Sequence, residues 1–179
     1  LFEALDSCNK LTDSYDSASC YGGVFMQNIL FDQTPDKDAN YKPKYLKNDD
    51  PMYPCTAVEE KYKTQCYLMQ TSQALKVVGY DFKKVFELCA ATPGAHRQTC
   101  YRSLGRDASG QSISDVQSTK EKCLLGQDHE ARVYCIIGAA SDFVSYYHDD
   151  KKAMQLCASL PNELQEMCQN TVRSTYSTF

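Results

Sequence analysis

The chain has no tryptophan, only eight glycines and six prolines in 179 residues, and no apolar run approaching the 18 or so that a membrane-crossing helix needs. No membrane span is expected. A concentrated basic stretch is also missing: 19 lysines and arginines are scattered among 23 acidic residues, for a net charge of -4. A phosphate backbone demands a basic face, so nucleic acid is excluded as a partner. No two cysteines stand closer than 11 positions. That removes the Cys-x-x-Cys of a redox centre, the Cys-x-x-Cys-His of attached haem and the short pairs of a zinc site. The three histidines, His96, His129 and His148, do not fall at i, i+4 spacing in a metal-binding pattern and are read as surface residues. Neither cofactor nor metal is expected.

What is present is a period. Asp81, Asp115 and Asp149 each stand eight residues before a cysteine, Cys89, Cys123 and Cys157, and each step is 34 residues. Cys55 extends that column backward, while a second column, Cys66, Cys100, Cys135 and Cys168, keeps nearly the same step. Fixed self-similarity of this length marks a repeat architecture. The ten cysteines then form five pairs, Cys8/Cys20, Cys55/Cys66, Cys89/Cys100, Cys123/Cys135 and Cys157/Cys168. An even set at regular spacing reads as disulfides in an oxidising compartment: secreted, periplasmic or cell-surface. The chain begins at Leu1 rather than Met, which fits removal of a signal peptide and fits a trimmed segment equally.

Residues 11 apart on one helix are separated by about 16 Å along its axis, far beyond the reach of a disulfide. Partners that are sequence neighbours therefore require the chain to reverse between them. Turn signals lie there: Thr92-Pro93-Gly94, Gly126-Gln127-Asp128 and Leu160-Pro161-Asn162. The reading is all-α, a right-handed solenoid of about five αα-hairpins, each stapled by one disulfide near its closed end. The hairpins fall at about 1–30, 50–78, 81–110, 114–147 and 149–177 of a single repeat domain. An inserted segment at 31–54 holds four of the six prolines, five aspartates and Tyr41, Tyr45 and Tyr53, and is expected to be a surface loop. Ser114 and Gln117 suggest a capping box, and Gly105 with Gly110 an end to the helix that starts near Ala95.

Equivalent positions of a repeat stack align in space, so columns carry more than single residues. Three positions after the second cysteine come Gly23, Met69, Ser103, Gly138 and Thr171, mostly small residues that permit close helix approach. Three before it, Lys63, Arg97 and Arg132 form a basic row; one after it come Tyr67 and Tyr101. These five are the candidate binding residues, the row suiting an extended anionic partner. Ser7-Cys8-Asn9-Lys10 matches a Ser-x-x-Lys pattern without its Lys-Thr-Gly or Ser-Asp-Asn companions, and Asp36 to Asn40 opens like a calcium loop but has Tyr41 and Lys47 at the decisive positions. Both are set aside.

The 34-residue helix-turn-helix period with paired cysteines resembles the tetratricopeptide repeats, and most of all the disulfide-stapled Sel1-like repeats of secreted cysteine-rich proteins. The resemblance runs from Cys8 to Cys168. It implies a solenoid and a binding role, and transfers no functional residue. The expected function is thus an extracytoplasmic binding or scaffold module, not an enzyme, that recognises a protein, peptide or anionic glycan. The alternatives are a cell-wall-related enzyme with a dispersed active site and a self-associating structural subunit.

If the aspartate column caps successive helices, Asp81→Ala should cost about 1 kcal/mol in chemical denaturation. An unchanged midpoint would make the column coincidence.

Overall fold

A computed structural model describes residues 1–33, 44–112 and 115–178. Among them are nine α-helices and no strand. The chain divides into two compact units, Leu1–Tyr80 and Asp81–Phe179. The boundary falls at the stop formed by Gly79 and Tyr80, both left-handed at φ 70° and 62°.

The first unit contains α1 (Phe2–Cys8), α2 (Ser14–Gln33) and α3 (Glu60–Val77), with α2 packed against both others. Its core includes Leu5, Phe25, Ile29 and Tyr62. Asn9, the residue that ends α1, ties the three helices together: it accepts from the Tyr21 hydroxyl at 2.6 Å and donates to the Tyr62 hydroxyl at 2.7 Å. The two rings meet edge-on at 4.9 Å.

The second unit contains α4 (Phe82–Ala90), α5 (Ala95–Gln111), α6 (Val116–Leu124), α7 (His129–Tyr147), α8 (Lys151–Ser159) and α9 (Asn162–Tyr176). The long helices α5, α7 and α9 pack in succession, and the short α6 and α8 pack on each other. Each short helix precedes a long one, and the disulfide joins the end of the first to the second turn of the next.

All five bridges are those expected from spacing, with Cα atoms 5.4 to 5.7 Å apart. Asp81 and Asp115 open helices as anticipated, and Asp128, outside that column, opens another. Asp81 accepts from the N–H groups of Lys83 and Lys84, Asp115 from Ser118 and Asp128 from Ala131. Asp149 accepts from Lys151 N–H at 3.0 Å, although Asp150 occupies the capping position of α8 and makes no side-chain bond there. Ser114, the proposed capping-box partner, lies outside the described residues.

Two expectations change in the first unit. Cys55 sits in consecutive turns at 51–57 rather than on a helix, so the second pair lacks a first helix. Pro51 and Pro54 remove backbone donors and bias the residues before them away from helix. The described end of the inserted segment is not a free loop either. Leu46 and Met52 are buried, and the Gln70 amide of α3 donates to the carbonyls of Pro51 and Tyr53 at 2.9 and 2.8 Å. A buried side chain thus supplies the partners that a helix would have supplied.

Gly105 does not end α5. It lies inside the helix, and a Cβ there would stand 2.7 Å from the carbonyl carbon of Cys135 and 2.9 Å from the nitrogen of Ala139, closer still to the Cys135 oxygen. Gly138 meets Arg102 in the same way, 2.7 Å from its carbonyl carbon and 2.9 Å from its Cα. Helices α5 and α7 therefore touch backbone to backbone. Gly105→Ala and Gly138→Ala should each lower stability by about 1–3 kcal/mol in urea denaturation, the range for overpacking. Gly23→Ala, with open space around it, should stabilise by up to about 1 kcal/mol. Equal effects at all three would show that helix propensity, not contact, decides.

Candidate functional site

Each cation of the basic row has an intramolecular partner. Lys63, in the first unit, pairs with Glu60 at 3.0 Å. Arg97 lies 3.9 Å from Glu130, whose other oxygen accepts from Gln98 at 2.9 Å, and Arg132 Nε donates to the Gly126 carbonyl at 2.8 Å. The two tyrosines are buried, Tyr67 at 3% and Tyr101 at 1% exposure. Tyr101 stacks obliquely on Phe86, and burial together with the carboxylates of Asp128 and Glu130 pushes its phenol up. The rings serve the interior, not a presented face.

The other candidates are similarly occupied. Ser7 Oγ donates to the Glu3 carbonyl at 2.9 Å. Of the histidines, His96 is buried rather than superficial, and His148 is the left-handed residue that ends α7. Among the described residues no three of His, Cys, Asp and Glu cluster as a metal site, and no helix is long and apolar enough to cross a membrane. Residues 36–41, with the partial calcium pattern and Tyr41, lie outside the described residues. Tyr45 and Tyr53 lie under the ammonium groups of Lys44 and Lys47, at 5.1 and 4.1 Å.

Polar groups gather instead around the α5/α7 contact. Ser109, fully buried on α5, reaches Asp142 of α7 at 2.6 Å. One turn earlier, Arg106 bonds Asp107 at 3.1 Å and reaches Ser103 at 3.4 Å. Burial raises the Asp142 carboxyl, and the Ser109 hydrogen bond and the Arg106 charge only partly offset it. At the end of α5, Lys122 donates to Ser112 Oγ, and burial lowers its ammonium.

Beside this contact, α5, α7 and α9 leave a groove of about 350 Å³. Arg102 stands on one side, Tyr134, Ile137 and Ser141 on the floor helix, and Asn170 with Ser174 on the other. Ser141 and Thr175 bridge α7 and α9 by a hydroxyl contact of 3.2 Å. Arg97, Arg106, Arg132 and Arg173 all have intramolecular partners. Arg102 is exposed and has none among the described residues. Arg102 does not stand out in the sequence, because the columns two and six places after the second cysteine do not repeat one residue type. Those columns hold Arg102, Ile137 and Asn170, then Arg106, Ser141 and Ser174.

No protein-family model, curated protein or solved structure matches this chain.

The raised Asp142 carboxyl sets a pH signature. The folded state favours its protonated form, so its contribution to stability is greatest below the ordinary aspartate value of about 3.9 and is lost as pH rises through the folded value. Asp142→Asn keeps an acceptor for Ser109 without the buried charge. Its melting temperature relative to wild type should therefore improve as pH rises from acid to neutral. A difference that is flat or worsens with pH would mean that attraction to Arg106 outweighs desolvation.

Proposed function

We propose that this chain is an extracytoplasmic binding module, without a catalytic role, whose ligand surface is the open face of α5, α7 and α9. In this reading the stapled helix pairs of the second unit stack as a short right-handed solenoid, and equivalent positions of its long helices make one continuous surface. The observation that carries it is the unpartnered guanidinium of Arg102 at the edge of a hydroxyl- and amide-lined groove. A guanidinium offers a planar fork of donors that matches a carboxylate. Asn170 and the serine hydroxyls suit peptide groups, and Tyr134 and Ile137 add apolar contact. The ligand that fits is a peptide segment with an acidic side chain, presented by a protein partner. Ten cysteines, all bridged, support a reading in which such recognition takes place in an oxidising, extracytoplasmic environment.

Individual exposed contacts of this kind contribute about 1 kcal/mol or less, so affinity rests on several together and weakens with salt. A displayed peptide library panned against the oxidised protein should enrich Asp- or Glu-bearing sequences. Arg102→Glu should weaken those peptides by about tenfold or more while leaving the helical CD spectrum unchanged. Charge reversal at Lys63, Arg97 and Arg132 should leave the peptides bound. The opposite pattern would move the site to the basic row and overturn this assignment.

A further inference from the structure

We infer that the first unit carries an independent small-molecule site, a groove of about 600 Å³ that takes an uncharged, apolar molecule bearing a single hydroxyl or carbonyl. The volume falls in the range of about 300–1,000 Å³ typical of ligand pockets. One stripe of α2 forms its wall: Cys20, Gly23, Val24, Gln27 and Asn28 follow at i, i+3, i+4, i+7 and i+8. Leu1, Ala4 of α1 and Tyr45 complete it, the Tyr45 ring held edge-on by Phe2 at 5.5 Å.

Gly23 stands on the groove wall with open space before it. A glycine inside a helix costs about 1 kcal/mol relative to alanine, and it persists where something must approach the backbone. Its repeat equivalent, Gly138, meets that demand with Arg102 of the neighbouring helix, and the adjacent Gly22 faces Gln65 of α3 at 3.3 Å. Around Gly23 a Cβ would meet nothing within 4 Å. The packing reason that applies to its counterpart is absent, and the free space opens into the groove.

Charge selects the occupant. The described side chains that line the groove are uncharged, in a chain whose residues are 23% charged. Asn28 Nδ2 is committed to the Tyr45 carbonyl at 3.3 Å, whereas the Gln27 amide has no intramolecular partner among the described residues. An apolar wall with one uncommitted amide complements a neutral molecule with one polar group. No lining side chain supplies an anion with a counter-charge.

N-phenyl-1-naphthylamine and its sulfonated analogue 1-anilinonaphthalene-8-sulfonate differ essentially by one charge and together test the inference on the intact oxidised protein. The neutral probe should bind with enhanced fluorescence, and the sulfonate about tenfold or more weakly. Dodecan-1-ol should displace the neutral probe and dodecanoate should not. Gln27→Leu should abolish the alcohol's advantage while retaining the probe. Gly23→Phe should fill the groove and remove binding with the CD spectrum and melting temperature maintained. If that variant misfolds, Val24→Asp serves the same purpose by placing a charge on the wall. Undiminished binding in whichever of these variants folds, equal affinity for the sulfonate, or no neutral binding at all would overturn the proposal. So would a concentration-dependent dimer that expels the probe, since a second copy would then be the occupant. Arg102→Glu, in the other unit, should leave every one of these readouts unchanged, so this site and the peptide groove stand or fall separately.

Discussion

The covalent staple between the end of a short helix and the second turn of a long one is the constraint on which this architecture depends. The helices that carry the first cysteine, α1, α4, α6 and α8, have only 7, 9, 9 and 9 residues. Isolated helices below about 12–15 residues are marginal in water. Their partners α2, α5, α7 and α9 have 20, 17, 19 and 15 residues and can serve as templates. A bridge closing so small a loop removes up to about 3 kcal/mol of unfolded-state freedom in the chain-entropy model. It also fixes where the short helix must stop, and for α4 and α6 an aspartate cap fixes where it must start. Length, register and direction are thereby specified locally, eight or so residues at a time.

That local specification is why so much of the fold was legible. The cysteine pairs, the cap at Asp81 and the turn at Gly126-Gln127-Asp128 follow from spacing and short-range chemistry alone. What was not legible depends on tertiary contact. Gly105 reads as a helix stop because glycine usually is one, yet here the missing Cβ admits the backbone of α7. The turns around Cys55 stand where a helix was expected, and Gln70, 17 and 19 residues along the chain, satisfies the carbonyls of Tyr53 and Pro51. Tyr67 and Tyr101 recur at a regular position, but recurrence does not distinguish a core column from a surface column. The basic row illustrates the same point: periodic placement was visible, whereas the carboxylate and carbonyl partners of Lys63, Arg97 and Arg132 appear only in three dimensions.

A repeat also allows one position to be used in different ways. Three residues after the second cysteine, Gly138 brings two helices together, Ser103 is fully buried, and Gly23 leaves open space. The shared staple holds the backbone in one arrangement while such columns drift, so surface chemistry can diverge between units without renegotiating the fold. Arg102 shows both aspects at once: its backbone carbonyl is pressed against Gly138, while its side chain is free at the groove. A rigid main chain under a free guanidinium lowers the ordering cost of recognition.

The reciprocal glycine contact has a genetic consequence. When a bulky substitution strains an ordinary core, a smaller residue on the facing helix often restores room. Here the atoms facing Gly105 and Gly138 belong to the main chain of Cys135, Ala139 and Arg102. Main-chain atoms cannot be made smaller by any codon change. A search for second-site revertants of a lesion at either glycine should therefore recover true reversions and distant, globally stabilising changes, with no partner allele arising from the opposite helix.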